Sequence, residues 1–67
     1  MESLKSVARK TGYSYDSLRR YVKRYEKELV NEGVLVVKES LALKRYYTPD
    51  ADRLIEALKK MIKEERK

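Results

Sequence analysis

Residues 7–22 read VARKTGYSYDSLRRYV, and this stretch decides the fold. An amphipathic pattern over residues 3–10 leads into it and stops before Gly12, whose backbone readily takes the left-handed form that ends a helix. Ser14 is a favoured N-cap residue, and the next apolar position with helical spacing is Leu18. The stretch therefore predicts two helices joined by a tight glycine turn.

The two helices have different expected lengths. The first is expected within residues 3–10, with Ser3 as its N-cap. The second is expected to begin at Tyr15 and to run as one long helix that ends at residues 31–33. Its apolar positions, separated by four, three and four residues, are Leu18, Val22, Tyr25 and Leu29. Tyr13 is expected to pack in the core between the two helices.

A strand-like pattern follows the helices. Residues 34–37 read VLVV, a β-branched run typical of a strand, and residues 43–47 are the expected partner strand. The link near residues 39–41 contains no Gly, Pro or Asn, so no turn type is predicted for it. The two strands are expected to form a small β-hairpin.

Thr48-Pro49-Asp50 predicts the start of the last helix, with Thr48 as the N-cap and Pro49 at the first helical position. The apolar residues of this helix share one face, which is expected to cover the first two helices. They are Ala51, Leu54, Ile55, Leu58, Met61 and Ile62.

The length of the chain limits its organisation. With 67 residues it has room for one domain with a thin core, residues 1–67. Within that domain we expect the paired helices over about 3–30, the hairpin over about 34–47 and the C-terminal helix over about 49–65.

Composition excludes several function classes. The chain contains no cysteine and no histidine. It therefore lacks disulfides, thiolate and imidazole metal ligands and a histidine general base, so we expect no metal, no cofactor and no enzyme activity. No apolar run reaches the ~18 residues of a membrane span and no signal peptide is recognisable, which predicts a cytoplasmic protein without membrane contact. Abundant Lys and Glu, with no Gln, Trp or Phe, is similar to the composition of hyperthermophile proteins.

The positive charge is concentrated in one part of the chain. Of the 17 basic residues, seven lie within residues 5–24 against a single acid, Asp16, so this block carries the whole net charge of +6. The seven are Lys5, Arg9, Lys10, Arg19, Arg20, Lys23 and Arg24. A focused cationic patch attracts polyanions, because neutralised phosphates release counterions. Two helices with a tight turn and a basic second helix are typical of a helix-turn-helix.

Two segments of the chain resemble the MerR-type winged helix-turn-helix family. The first is VARKTGYS at residues 7–14, followed by SLRRY at residues 17–21. The second is RYYTPDADRL at residues 45–54, which looks like the family's wing exit and next helix. Both segments occur in the family's order, and excisionases of mobile elements are similar in fold.

The resemblance has structural and functional implications. It implies a winged helix-turn-helix, mainly α with a small β-hairpin wing. It also implies that Arg19, Arg20 and Tyr21 lie at the DNA surface and that Arg45 serves the wing. The family's long dimerisation helix and effector domain have no counterpart here, so no small-molecule effector is expected.

The candidate DNA-binding residues lie on the second helix and in the wing. They are Tyr15, Ser17, Arg19, Arg20, Tyr21, Lys23, Arg24, Lys44 and Arg45. The first turn of a recognition helix usually contacts bases, and the outer face of this one is basic. Lys44 has the alternative role of an edge-strand lysine that opposes aggregation. Tyr15 and Tyr21 also suit base stacking by a single-strand binder.

We therefore expect a double-stranded DNA-binding protein, a small transcriptional regulator that reads the major groove with its second helix. The alternatives are an architectural or excisionase-like, recombination-directing factor and a winged-helix protein-interaction module. If the protein binds DNA, as a regulator or as an architectural factor, a nucleoid-associated location is expected. One small module covers only roughly 600–1,000 Å² at DNA. A weak homodimer or cooperative self-association on DNA is therefore expected, through Leu58, Met61 and Ile62.

Overall fold

The computed structural model describes residues 1–65, which are mainly helical with a small three-stranded antiparallel sheet. In chain order the elements are β1 (Glu2–Ser3), α1 (Leu4–Thr11), α2 (Tyr15–Arg24), α3 (Glu26–Asn31), β2 (Val36–Glu39), β3 (Lys44–Thr48) and α4 (Ala51–Glu65). This agrees with the expected fold class at the level of helices plus a small hairpin.

Helices α1 and α2 are joined by a three-residue turn whose caps are those that the sequence predicts. Ser3 and Ser14 are the N-caps, and each hydroxyl oxygen accepts from the backbone N–H three residues later, at 3.3 and 3.5 Å. Gly12 takes the left-handed conformation, with φ of 78°, and its N–H donates to the carbonyl of Ala8 at 2.9 Å. A side chain at this φ would be strained, which explains the glycine.

The prediction of one long second helix is wrong. The helix bends at Tyr25, whose φ of −108° and ψ of 25° lie outside the α region, and it resumes as α3. The N–H of Tyr25 still donates to the carbonyl of Tyr21, and the N–H of Leu29 to the carbonyl of Tyr25, so helical hydrogen bonding continues across the bend. The spacing of the apolar residues is therefore the same as in a straight helix and does not reveal the bend. The bend leaves Val22 and Leu29 fully buried and brings Glu26 to the hairpin.

The sheet has the strand order β1-β3-β2, with both pairings antiparallel. Strand β1 is not predicted by the sequence pattern; its two residues pair with Thr48 and Tyr47 and so tie the N-terminus to the sheet. Strand β2 begins two residues later than expected, because Val34 and Leu35 are buried in the core as an irregular segment. There the N–H of Val34 donates to the carbonyl of Leu29 at 3.2 Å.

The hairpin closes through a two-residue loop. Ser40 and Leu43 exchange backbone hydrogen bonds, at 2.9 Å from the Ser40 N–H and 3.3 Å from the Leu43 N–H. Within residues 1–65 only glycines have positive φ, so Leu41 and Ala42 do not form the type I′ turn that Asn-Gly favours. The loop therefore forms without the Gly, Pro or Asn that is absent from this part of the sequence.

The last helix begins later than predicted. Asp50, not Thr48, caps it: its Oδ1 accepts from the backbone N–H groups of Asp52 and Arg53 at 3.1 and 3.3 Å. Thr48 instead ends β3 and is fully buried, where its hydroxyl donates to the carbonyl of Val34 at 2.7 Å. A threonine before proline is suited both to capping a helix and to ending a strand. Here Thr48 ends the strand, because its hydroxyl donates to the buried carbonyl of Val34.

The core forms where α1, α2, α3, β3 and α4 meet. Its buried apolar members are Leu4, Val7, Ala8, Leu18, Val22, Leu29, Val34, Leu35, Tyr46, Ala51, Leu54 and Leu58. Tyr13 is not among them: it is 45% exposed, which corrects its predicted core position. Because Leu58 is in the core, the expected self-association surface reduces to Met61 and Ile62, both half-buried.

The buried hydroxyl of Thr48 yields a test of this arrangement. Thr48→Val preserves side-chain volume but removes the donor to the Val34 carbonyl and the acceptor of the Asp50 N–H. It should lower the free energy of unfolding by about 1–3 kcal/mol. Thr11→Val is the matched control, because the Thr11 hydroxyl donates to a carbonyl at 2.7 Å in half-buried surroundings that water reaches. Urea unfolding of both variants checks this; equal losses would contradict it.

Candidate nucleic-acid interface

Helix α2 is held in one rotational position by its buried residues. Leu18 and Val22 point into the core. With 3.6 residues per turn, the opposite side of the helix then carries Arg20, Lys23 and Arg24, all of them exposed. The structure thus presents the predicted basic face of α2 to solvent.

An open groove of about 430 Å³ lies between this helix and the hairpin. Tyr15 and Arg19 line it from α2, and Lys44 and Arg45 line it from β3, so four of the predicted site residues meet here. Lys5 of α1 also lines the groove, with its ammonium 5.9 Å from the centre of the Tyr15 ring. Cations from three elements therefore share one concave surface.

Lys44 is less available than its neighbours. Its ammonium lies 2.7 and 2.9 Å from the two carboxylate oxygens of Glu26 and 3.7 Å from Glu39. Glu26 also accepts a hydrogen bond of 2.8 Å from the hydroxyl of Tyr46. Lys44 therefore neutralises a carboxylate and ties the hairpin to α3, a role that its charge alone did not reveal.

The pKa values around Glu26 reflect this contact. The hydrogen bond from Lys44, followed by that from Tyr46, lowers the pKa of Glu26. The same bond raises the pKa of Lys44. Burial, then the hydrogen bond to Glu26, raises the pKa of Tyr46. The carboxylate, the ammonium and the neutral phenol are therefore the stable forms at neutral pH.

Arg24 is also paired. Its guanidinium forms an ion pair with Glu65 at the end of α4, and the hydroxyl of Tyr25 donates to the same carboxylate. This contact ties the end of α2 to the end of α4. Among residues 1–65, Arg24 is thus the one predicted α2 cation whose charge an acid offsets.

Ser17 and Tyr21 lie on a different side of α2 from Arg19. They line a small apolar groove of about 100 Å³ between α2 and α4, together with Ile55. Tyr13 borders the same groove, with the ammonium of Lys59 at 6.0 Å from its ring centre. The structure therefore separates these two predicted residues from the hairpin groove.

Most cations of the N-terminal block have no acidic partner. Lys10 pairs with Glu2 at 2.9 Å, and the hydrogen bond from Lys10 lowers the pKa of Glu2. Apart from Lys10 and Arg24, no basic residue of the block lies within 4.0 Å of a carboxylate among residues 1–65. The unpaired members are Lys5, Arg9, Arg19, Arg20 and Lys23. Arg45 of the hairpin is unpaired in the same sense.

Other kinds of site find no support in the described part of the chain. Residues 1–65 contain no group of three or more acidic side chains placed to hold a metal ion. No helix in that range is long and apolar enough to cross a membrane. No protein-family model, curated protein or solved structure matches the chain. The geometry therefore carries the functional argument.

Two residues of this region are not among the predicted site residues, although the sequence places Lys5 in the basic block. Lys5 is not among the predicted site residues because it lies on the first helix, on the far side of the glycine turn from α2. Glu26 carried no signal, since its partners lie 18 and 20 residues further along the chain. Only the packing of the hairpin against α3 brings these groups together.

Glu26→Gln tests the tie between α3 and the hairpin. Because the folded-state pKa of Glu26 is lowered, the carboxylate stabilises the fold above its ordinary value of 4.5. This contribution is lost as pH falls through the lowered pKa. At pH 7 the variant should be less stable by about 1 kcal/mol, and the difference should shrink in acid.

Thermal unfolding from pH 7 to pH 3 measures this effect. Glu28→Gln is the matched control, because Glu28 is exposed on the same helix and forms no ion pair among the described residues. A difference between Glu26→Gln and the wild type that is independent of pH would contradict the assignment.

Proposed function

We propose that this chain is a winged helix-turn-helix protein that binds double-stranded DNA and acts as a small transcriptional regulator. The observation that carries the proposal is the convergence of unpaired cations from α1, α2 and β3 on one surface. Such a surface neutralises the phosphates of a backbone that runs beside an inserted helix.

The dimensions of α2 support insertion into the major groove. A helix with side chains is about 10–12 Å across, and the major groove of B-DNA is about 12 Å wide. The exposed side of α2 carries Arg20 and Lys23, which reach base edges or phosphates from this position. Arg19 and Arg45, across the hairpin groove from each other, then contact the flanking backbone.

The hairpin supports the role of a wing. Arg45 of β3 stands opposite Lys38 of β2 in the strand register, so two cations lie on the same face of the hairpin. Glu26 and Lys44 tie the hairpin to α3, the helix that follows α2. In this proposal the wing contacts the backbone beside the major groove, as the resemblance to MerR-type domains and excisionases suggests.

Salt dependence is the first test. If Arg45 and the five unpaired cations of the N-terminal block neutralise phosphates, log affinity for a duplex should fall against log salt concentration with a slope of about −5.4. Fluorescence anisotropy of a labelled duplex of about 20 base pairs, titrated between about 50 and 300 mM salt, measures the slope. The single strand of the same sequence is the control: tighter binding to it would favour a stacking mode instead.

A charge-matched pair of variants tests the role of α2. Arg20→Ala with Lys23→Ala should weaken duplex binding about 10- to 100-fold, because both side chains are exposed on the inserted helix. Lys60→Ala with Lys63→Ala removes the same charge from exposed positions of α4 and should change affinity only slightly. Equal losses in the two variants would exclude α2 as the recognition helix.

Selection from a random duplex pool, followed by footprinting, tests the regulatory role. A regulator should enrich a defined sequence and protect a short site. A long footprint without an enriched sequence would indicate the architectural alternative instead. Absence of duplex binding at low salt would favour a protein-interaction module.

A further inference from the structure

The tip of the hairpin is an exposed apolar loop. Leu41 is fully exposed, Leu43 is 57% exposed and Ala42 between them is exposed. Single exposed apolar residues are ordinary on protein surfaces, but a contiguous group at the most projecting point of a hairpin is not. Neither leucine belongs to the hydrophobic core.

Folding does not explain these leucines. The loop is closed by the backbone hydrogen bonds between Ser40 and Leu43, which any residue supplies. Turns usually place Gly, Asn, Asp or Ser at such positions. The apolar character of the tip is therefore available for contact with something outside the chain.

The surroundings of the tip indicate the chemistry of that contact. Leu43 lines the same groove as Arg19 and Arg45, so the tip continues the cationic surface. Next to the tip, Glu39 and Lys44 face each other across the strands and offset each other's charge. One position further along, Lys38 and Arg45 face each other, and neither forms an ion pair among residues 1–65. An apolar tip with cations nearby is complementary to a nucleic-acid duplex, in which stacked bases lie between two rows of phosphates.

From these observations we infer that Leu41 is an apolar wedge that enters the minor groove of the bound duplex and unstacks a base step. The inference rests on the proposed DNA binding and names what the wing does there. The minor groove is about 6 Å wide, and proteins that bind there insert single apolar side chains between base steps. Leucine is among the side chains that separate base steps in this way, and such insertion kinks DNA by about 20–90° toward the major groove.

The test measures bending separately from binding. A duplex of about 30 base pairs carries a fluorophore pair at its ends and a 2-aminopurine at a central TA step, which unstacks readily. Wild-type protein should raise energy transfer between the ends and raise 2-aminopurine fluorescence. Leu41→Ser with Leu43→Ser should abolish both signals and lose less than about tenfold in affinity, because the cost of unstacking the bases offsets much of what the inserted leucine contributes to binding.

Two further variants separate the wedge from other effects. Leu41→Met preserves an apolar tip and should retain both signals. Val30→Ser alters another exposed apolar residue, 44% exposed and on α3 outside the hairpin, and should also retain them. Circular dichroism melts confirm that each variant is folded.

The outcomes distinguish the inference from the function on which it rests. Duplex binding by wild type without bending, or bending that survives in the double leucine variant, would overturn the wedge and leave the DNA binding intact. Absence of duplex binding by every variant at low salt would overturn both. Loss of binding to phosphatidylserine vesicles in the double variant, with bending unchanged, would assign the tip to a lipid surface instead.

Discussion

The position of the hairpin relative to the helices depends on the carboxylate of Glu26. It receives the ammonium of Lys44 and the hydroxyl of Tyr46, both from β3. It can do so because the helix bends at Tyr25, one residue earlier, and directs α3 toward the sheet. A short chain has few apolar residues for a core. At the edge of that core, the contacts of Glu26 with Lys44 and Tyr46 therefore fix the position of the hairpin, which apolar packing alone would fix less well. Its two partners, Lys44 and Tyr46, also line the groove beside α2.

The acids of the chain determine which cations remain free. Glu2, Glu26 and Glu65 each take one basic partner, at the start of the chain, at the hairpin and at the end of α4. These pairs lie at the joints between elements and hold them together. Apart from Arg24 and Lys44, the cations of the outer side of α2 and of the hairpin groove have no such partner among the described residues, so the positive potential is concentrated there.

The sequence predicted those features that depend on neighbouring residues. The caps at Ser3, Gly12 and Ser14 follow from local backbone chemistry, and each is present in the structure. The bend at Tyr25 was not predicted, because apolar spacing is the same on both sides of it. The cap at Asp50 was missed because Thr48 is an equally good N-cap until a buried carbonyl takes its hydroxyl. The basic face of α2 was predicted, whereas the pairing of Lys44 depends on contacts distant in sequence.

The small size of the domain gives the proposed wedge a mechanical purpose. A single module covers roughly 600–1,000 Å² of DNA-facing surface, too little for strong selectivity on a straight duplex. Insertion from the minor groove bends DNA toward the major groove, which is where α2 lies in the proposed complex. The bend therefore folds the duplex around α2 and brings more phosphates to the cationic surface. In this arrangement the hairpin tip and the basic helix contact opposite grooves of the same turn of DNA. The contact between Glu26 and Lys44 holds the hairpin to the helices.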